Sequence, residues 1–389
     1  MTVRLRNIGI CFILASLLLL PGCGNSRDIQ NLAYVTALGM DYVNGKYMSY
    51  VQVLNFTNIA KSENVELGKK IPIWIGAADG ETVSGSLADI TTTSQIPLFW
   101  GHLKVIVVTE NMIKHGLRDI YSTLNRGRDV RYNILVYGTK EDIPKLLTQT
   151  SLFNLSPLDT ILFTGAQLGS QKTYLLPLKG HRGISNMNET GNPGYLPSIS
   201  LSPENWSEDK KSKDMFQISG AYFFTKTKYK NWMSLGDLKG IRWMNRHLEQ
   251  TPLQVPAEGQ YKAVLTVVNP RSKIKPIVKG SDVQFDIHLD VKSTLTELVE
   301  DVPFGQLEKE AAQAIEKEIR ETYKKALSKE CDPFQLGEAL YRQNPSLYNK
   351  LSANGETFFL QPDSLRHVIA TVHITTVGKY KGHVQRQVK

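Results

Sequence analysis

Residue types able to do chemistry gather in two places. In "VQFDIHLDVKS", Asp286, His288 and Asp290 recur at every second position, and side chains two apart on a strand share a face. Two carboxylates beside an imidazole can ligate a metal or exchange protons near neutral pH. The same alternation sets Val283, Phe285, Ile287, Leu289 and Val291 on the opposite face, as an antiparallel strand with one wet face requires. We adopt that simpler reading. His367 and His373 in "RHVIATVHITTVG" share a parity, but at strand rise they stand roughly 20 Å apart, too far for joint ligation. The second place is Cys23, which follows an apolar run from Ile8 to Leu20 broken only by Gly9 and Ser16, itself preceded by Arg4 and Arg6.

A positive start, an apolar stretch of about 7–15 residues and a small residue before the cut describe an export signal. The run is shorter than the roughly 20 apolar residues of a membrane-spanning helix. Leu20-Pro21-Gly22-Cys23 resembles the bacterial lipobox. That resemblance implies cleavage after Gly22, diacylglycerol on the Cys23 sulfur and an acyl group, such as palmitate, on the new amino terminus. One acyl chain holds a protein at a membrane only marginally, whereas two or three hold it stably. Residues 1–22 are thus expected to be a lipoprotein-type signal peptide, and Cys23 an anchor.

The chain has three cysteines, of which Cys11 lies in the segment to be removed. Once Cys23 is lipidated, Cys331 has no partner in the chain, so the exported part must be stabilised by its own core. Paired-cysteine and Cys/His zinc spacings are absent. So are the Gly-x-Ser-x-Gly elbow, the phosphate-cradling loop, His-Glu-x-x-His and the dinucleotide fingerprint. No catalytic, cofactor or metal residues are assigned. The formal net charge is +9, which suits an anionic membrane surface. Its bases are scattered and mixed with acids, as in "EDKKSKD", so nucleic-acid binding is not expected. "FWGHLKV" sets Phe99, Trp100 and His102 before a strand, more in the manner of core than of a ligand box. "NRGRDVR" sets Arg126, Arg128 and Arg131 around Asp129, a loop able to satisfy itself or to meet an acidic partner or headgroups.

The elements that position these residues are partly legible. Asn44-Gly45 between two apolar runs reads as a type I′ hairpin turn. "KVIVVT" (104–109) reads as a buried strand. Thr109 then caps one helix with its stripe at Ile113, Leu117, Ile120 and Leu124. "VRYNILVYG" is a further strand and "KEDIPKLLTQ" a short helix. The Gly/Pro-rich stretch from 165 to 215 reads as loops with a short extended segment near Pro197. Later strands are expected at 217–225, 260–269 and 366–378. A long helix from about Phe304 to Lys329 carries Leu307, Ala311, Ile315, Ile319, Tyr323 and Leu327 on one side, with Glu316–Arg320 and Glu321–Lys325 pairs outside. The fold class is α+β, consecutive domains with mixed or antiparallel sheets flanked by helices. The expected boundaries are 23–160, 161–258 (the Gly/Pro-rich connection and a middle domain) and 259–389.

Four blocks in order carry a resemblance that spans nearly the whole mature chain: "RDIQNLAYVTALGMDY", "GHLKVIVVTENMIKHGLRDIYSTLNRGRDVRYNILV", "SGAYFFTKTKYKNWMSLGDLKGIRWM" and "CDPFQLGEALYRQNPSLY". Together, behind the lipobox, they resemble the Ger(x)C family, the lipoprotein C subunits of spore germinant receptors. Many members carry a Trp near the lipid cysteine, where this chain has "CGNS". The resemblance implies three α+β domains and a non-enzymatic role in germination in response to nutrients. It also implies integral membrane A and B subunits as partners, and an exported chain lipid-anchored to the spore inner membrane. A solute-binding lipoprotein of a transporter is the alternative, and would need two similar lobes about a cleft. An exported hydrolase lacks its nucleophile signature.

Overall fold

The structure is a computed structural model that describes residues 32–54, 72–126, 131, 133–165, 174–192, 194–245, 248–256 and 259–377. Cys23, Arg128 and Asp129 lie outside the described residues. In chain order the amino-terminal elements are β1 (Ala33–Val43), β2 (Lys46–Leu54), β3 (Trp74–Gly80), α1 (Val83–Thr93), β4 (Val105–Thr109), α2 (Glu110–His115) and α3 (Arg118–Arg126). Then come β5 (Leu135–Thr139), α4 (Ile143–Leu147), α5 (Gly180–Asn188), β6 (Tyr195–Ser202), β7 (Met215–Thr225) and β8 (Lys228–Ser234). The carboxy-terminal elements are β9 (Thr251–Val255), β10 (Ala263–Lys279), β11 (Asp282–Leu298), α6 (Phe304–Leu327), α7 (Leu336–Gln343), α8 (Pro345–Leu351) and β12 (Leu365–Thr376).

The strands from β1 to β8 form one mixed sheet in the order β8-β7-β6-β5-β4-β1-β2-β3, with two two-residue strands attached. β1, β4, β5 and β6 run parallel, while the β2–β3 and β7–β8 flanks are antiparallel. This sheet does not stop at residue 160; β6, β7 and β8 continue it. As anticipated from Asn44-Gly45, β1 turns into β2 there, with φ of 52° and 82° and Val43 opposite Lys46. Positive φ at both central residues is the type I′ signature. β1 and β4 are buried along almost their whole length because helices cover both faces, which removes the alternation of a half-wet strand. α1, α2 and α3 close one face over Val35, Leu38, Met40 and Val108. The other face, with Ala37, Val107 and Tyr137, packs on α4 and on Ala326 and Cys331 from the carboxy-terminal part.

Thr109 caps as its type predicts, accepting from the Met112 amide at 3.2 Å. The helix after it is two helices, not one. Gly116 ends α2 at φ 133°, a conformation only glycine adopts freely, and α3 restarts at Arg118. The apolar stripe survives the break, with Ile113, Ile120 and Leu124 all buried.

The carboxy-terminal sheet has the order β9-β10-β11-β12. β11 is antiparallel to β10, as the alternation suggested, but parallel to β12. α6 lies on this sheet with Leu307, Ala311, Ile315, Ile319 and Tyr323 in the core. Arg320 pairs with Glu316 at 2.8 Å as expected. Lys325, expected to pair with Glu321, instead reaches Asp237 at 3.0 Å.

The two sheets meet at the 3-10 turn Lys239–Met244. Leu238 belongs to the core of the large sheet and Trp243 to that of the small one, and Ile241 touches both. Between them Glu318 of α6 is buried, although it is an acid. Its carboxylate accepts from Arg242 Nε (3.0 Å) and Nη2 (2.6 Å) and from Trp243 Nε1 (2.9 Å). Lys239 adds a contact at 3.0 Å. Arg242 Nη1 donates to Thr251 Oγ1 and the Pro252 carbonyl of β9, so the guanidinium is satisfied on every nitrogen. The approach is close enough that a Cβ on Gly240 would stand 2.6 Å from the Glu318 carbonyl oxygen, and the Gly240 amide donates to Thr322 Oγ1 at 2.9 Å. Gly240→Ala is expected to cost about 1–3 kcal/mol, the usual penalty of overpacking. Gly305→Ala in α6, where a Cβ meets nothing within 4 Å, is expected to stabilise slightly. Urea unfolding of both variants checks the pair.

Candidate functional site

Asp286, His288 and Asp290 separate in the fold. His288 and Asp290 are exposed on the outer face of β11, as the wet-face reading required. Asp286 is 6% exposed and receives a two-point contact from Arg366, Nε at 2.9 Å and Nη2 at 2.5 Å. That bond is the main reason its carboxyl titrates below the usual carboxylate range. His367 joins it, Nδ1 standing 3.3 Å from Oδ1, because the parallel register sets Asp286 opposite His367. His373 is opposite Lys292 on the same strand pair. Among the described residues no three His, Cys, Asp or Glu side chains come together in an arrangement able to hold a metal. The aromatic trio behaves as core margin: the Phe99 and His102 rings stand edge-on to Tyr34 at 5.7 and 5.0 Å. Burial is the first cause lowering the His102 imidazole, with Arg131 and Lys104 adding to it. Arg126 ends α3, and Arg131 is exposed.

The residues that carry the family resemblance hold the fold at its closest approaches. A Cβ on Gly39 would stand 2.3 Å from the Ile143 side chain, and one on Gly220 2.1 Å from the Met233 carbonyl oxygen. Asp41, two residues after Gly39, accepts from the Thr109 hydroxyl and from the Tyr42 amide at 2.7 Å, tying β1 to the start of α2. Gly240 and Trp243 belong to the Glu318 junction. Asp332 accepts from the amides of Leu336 (3.0 Å) and Gly337 (2.8 Å) and so fastens the first turn of α7. A Cβ on Gly337 would press on the Tyr348 ring at 3.3 Å. The junction around Asp332 borders an open pocket of about 290 Å³ between β7, α7 and α8. Its lysines are already committed, Lys226 to Glu356 at 2.6 Å and Lys230 to Glu330 at 3.9 Å.

Sequence reasoning overlooked Glu318. One signal was available: Ala314, Glu318, Thr322 and Ala326 recur every fourth residue beside the apolar stripe, so the acid sits in a row of small, buried positions. A second omission, the Asp286–Arg366–His367 cluster, has no local signal, because its members meet only through strand pairing.

Two profiles describe this architecture in other proteins. "Spore germination protein N-terminal domain" matches residues 25–201, and "Spore germination B3/GerAC like, C-terminal" matches residues 219–378. The chain belongs to the Ger(x)C family of spore germination proteins. It is 24% identical to spore germination protein KC of Bacillus subtilis, over 97% of each chain. It is 20% identical to spore germination protein B3 of the same species, over 93% of this chain and 96% of that one. With GerQC of Bacillus cereus it shares 23% identity over 84% and 88%. The crystal structure of the GerBC protein has the same fold, with a TM-score of 0.53 over 90% of this chain and 100% of that one, at 16% identity. No described helix is long and apolar enough to cross a membrane.

Two side chains of this family chain give direct readouts. Burial pushes the Asp332 carboxyl up to about 6, while the amides of Gly337 and Leu336 oppose the rise. An unfolded chain releases that proton near 3.8. Between 3.8 and about 6 the folded state therefore holds more protons, and stability falls as pH rises through the window. The difference in melting temperature between the wild type and Asp332→Asn is expected to shrink from pH 4 to pH 7. A flat difference would contradict the assignment. Burial also raises the Cys331 thiol to about 12, and since the thiolate is the reactive form, a thiol reagent is expected to label Cys331 only on unfolding.

Proposed function

We propose that this chain is the lipid-anchored, non-enzymatic subunit of a nutrient germinant receptor, attached to the spore inner membrane through Cys23 and working with integral membrane A and B subunits. The observation that carries the reading is the end-to-end match to a spore germination protein, 97% of both chains. The lipobox-like Leu20-Pro21-Gly22-Cys23 supports the tether. The structural employment of the family's own motif residues supports a role in display and assembly rather than in chemistry. A tether confines the folded sheets to a surface, which raises their effective concentration near membrane partners. Among the described residues the large mixed sheet and the four-stranded sheet differ in size and strand order, unlike the two similar lobes that a solute-binding lipoprotein requires.

Dipicolinic acid release from spores lacking the gene, across a panel of nutrients, tests the proposal. The expected result is loss of response to one nutrient class with normal release by a non-nutrient trigger. Cys23→Ala is expected to leave a folded but mislocalised chain and a weakened response. A normal response from a soluble Cys23→Ala chain would rule out the tether as essential.

A further inference from the structure

The end of the large sheet where β1 begins carries a groove of about 590 Å³. Its walls come from Leu32 just before β1, the end of β2 (Leu54), the start of β3 (Trp74) and the segment after α1 (Ile96, Leu98). Among the described residues no charged side chain lines it, in a sequence that is 21% charged. Trp74 is 71% exposed and Ile96 47%, and Trp74 opens β3, the last strand on that side of the sheet. Single exposed apolar residues are ordinary. A continuous uncharged groove with an open indole on its rim marks a surface that something covers.

The position of the groove identifies its occupant. Leu32, in its wall, is nine residues beyond Cys23, and nine residues of extended chain reach at most about 30 Å. A lipid on Cys23 therefore holds this end of the sheet close to the membrane. The intervening "GNSRDIQN" contains a single large apolar side chain, Ile29, and is too polar to fill an apolar groove itself. Indoles favour the headgroup layer, where the ring is sheltered and its N–H stays wet.

We propose that this groove is seated on the lipid bilayer, with Trp74 and Ile96 entering the headgroup layer as a second membrane contact beside the acylated Cys23. The inference rests on the lipid-anchor reading. It adds an orientation: β1 rises from the membrane, so the Asn44-Gly45 turn stands about 35 Å further out at strand rise. The two attachments then act on one rigid body, and the second turns a flexible tether into a fixed stance.

The lipidated full chain, reconstituted in vesicles of phosphatidylglycerol and phosphatidylethanolamine with brominated acyl chains, tests this through tryptophan emission. Mass spectrometry of the amino-terminal peptide reads the lipid on Cys23 separately. Bromolipid quenching is expected in the wild type and in Trp206→Phe, whose tryptophan is exposed elsewhere, and is expected to disappear in Trp74→Phe. Quenching that is absent, or that persists unchanged in Trp74→Phe, on a chain that carries its lipid and floats with the vesicles, overturns the docking and leaves the anchor standing. A chain without lipid on Cys23 overturns both. An Ile96→Asp variant that keeps the quenching and loses a co-purifying protein assigns the groove to a protein partner and overturns the proposal.

Discussion

The buried carboxylate of Glu318 is the point on which the two halves of the molecule depend. It lies among apolar residues of α6 and is tolerable there only because Arg242, Trp243 and Lys239 all reach it. Charges buried in this way add little net stability against an apolar substitute, but losing one partner typically costs about 3–5 kcal/mol. The network therefore acts less as glue than as a key. The seating of the 3-10 turn on α6 satisfies the acid. That seating fixes how Leu238 enters one core and Trp243 the other.

From this junction the close approaches follow. Gly240 lets the turn reach the α6 backbone, Gly220 lets β7 pass β8, and Gly39 leaves room for Ile143 under β1. Each is a position where the next atom would collide with a neighbour. Asp41 and Asp332 do related work with hydrogen bonds, each holding the start of a helix in place. Family resemblance in this protein thus traces backbone proximity and capping. This explains why the same positions identify the fold without naming a reaction.

The large sheet has two differently employed ends and edges. Its carboxy-terminal half is locked to α6 and the small sheet, while the β1–β3 end presents a groove that no described charged side chain lines. Burial on the β6–β8 side and apolar exposure on the β1–β3 side make the two flanks of the large sheet unlike.

What the sequence determined by itself is local in origin. The Asn44-Gly45 turn, the Thr109 cap, the alternation of β11 and the stripe of α6 follow from turn chemistry and from periods of 2 and 3.6 residues. The resemblance of Leu20-Pro21-Gly22-Cys23 to a lipobox is equally a matter of adjacent residues. Tertiary structure decided the rest. It joined β6, β7 and β8 to the first sheet across a Gly/Pro-rich stretch that reads as loops. It brought His367 and Arg366 to Asp286 through a parallel register, and it buried Glu318 rather than exposing it. Each of these depends on a partner tens of residues away, chosen by burial and charge neutralisation. No local period records that choice.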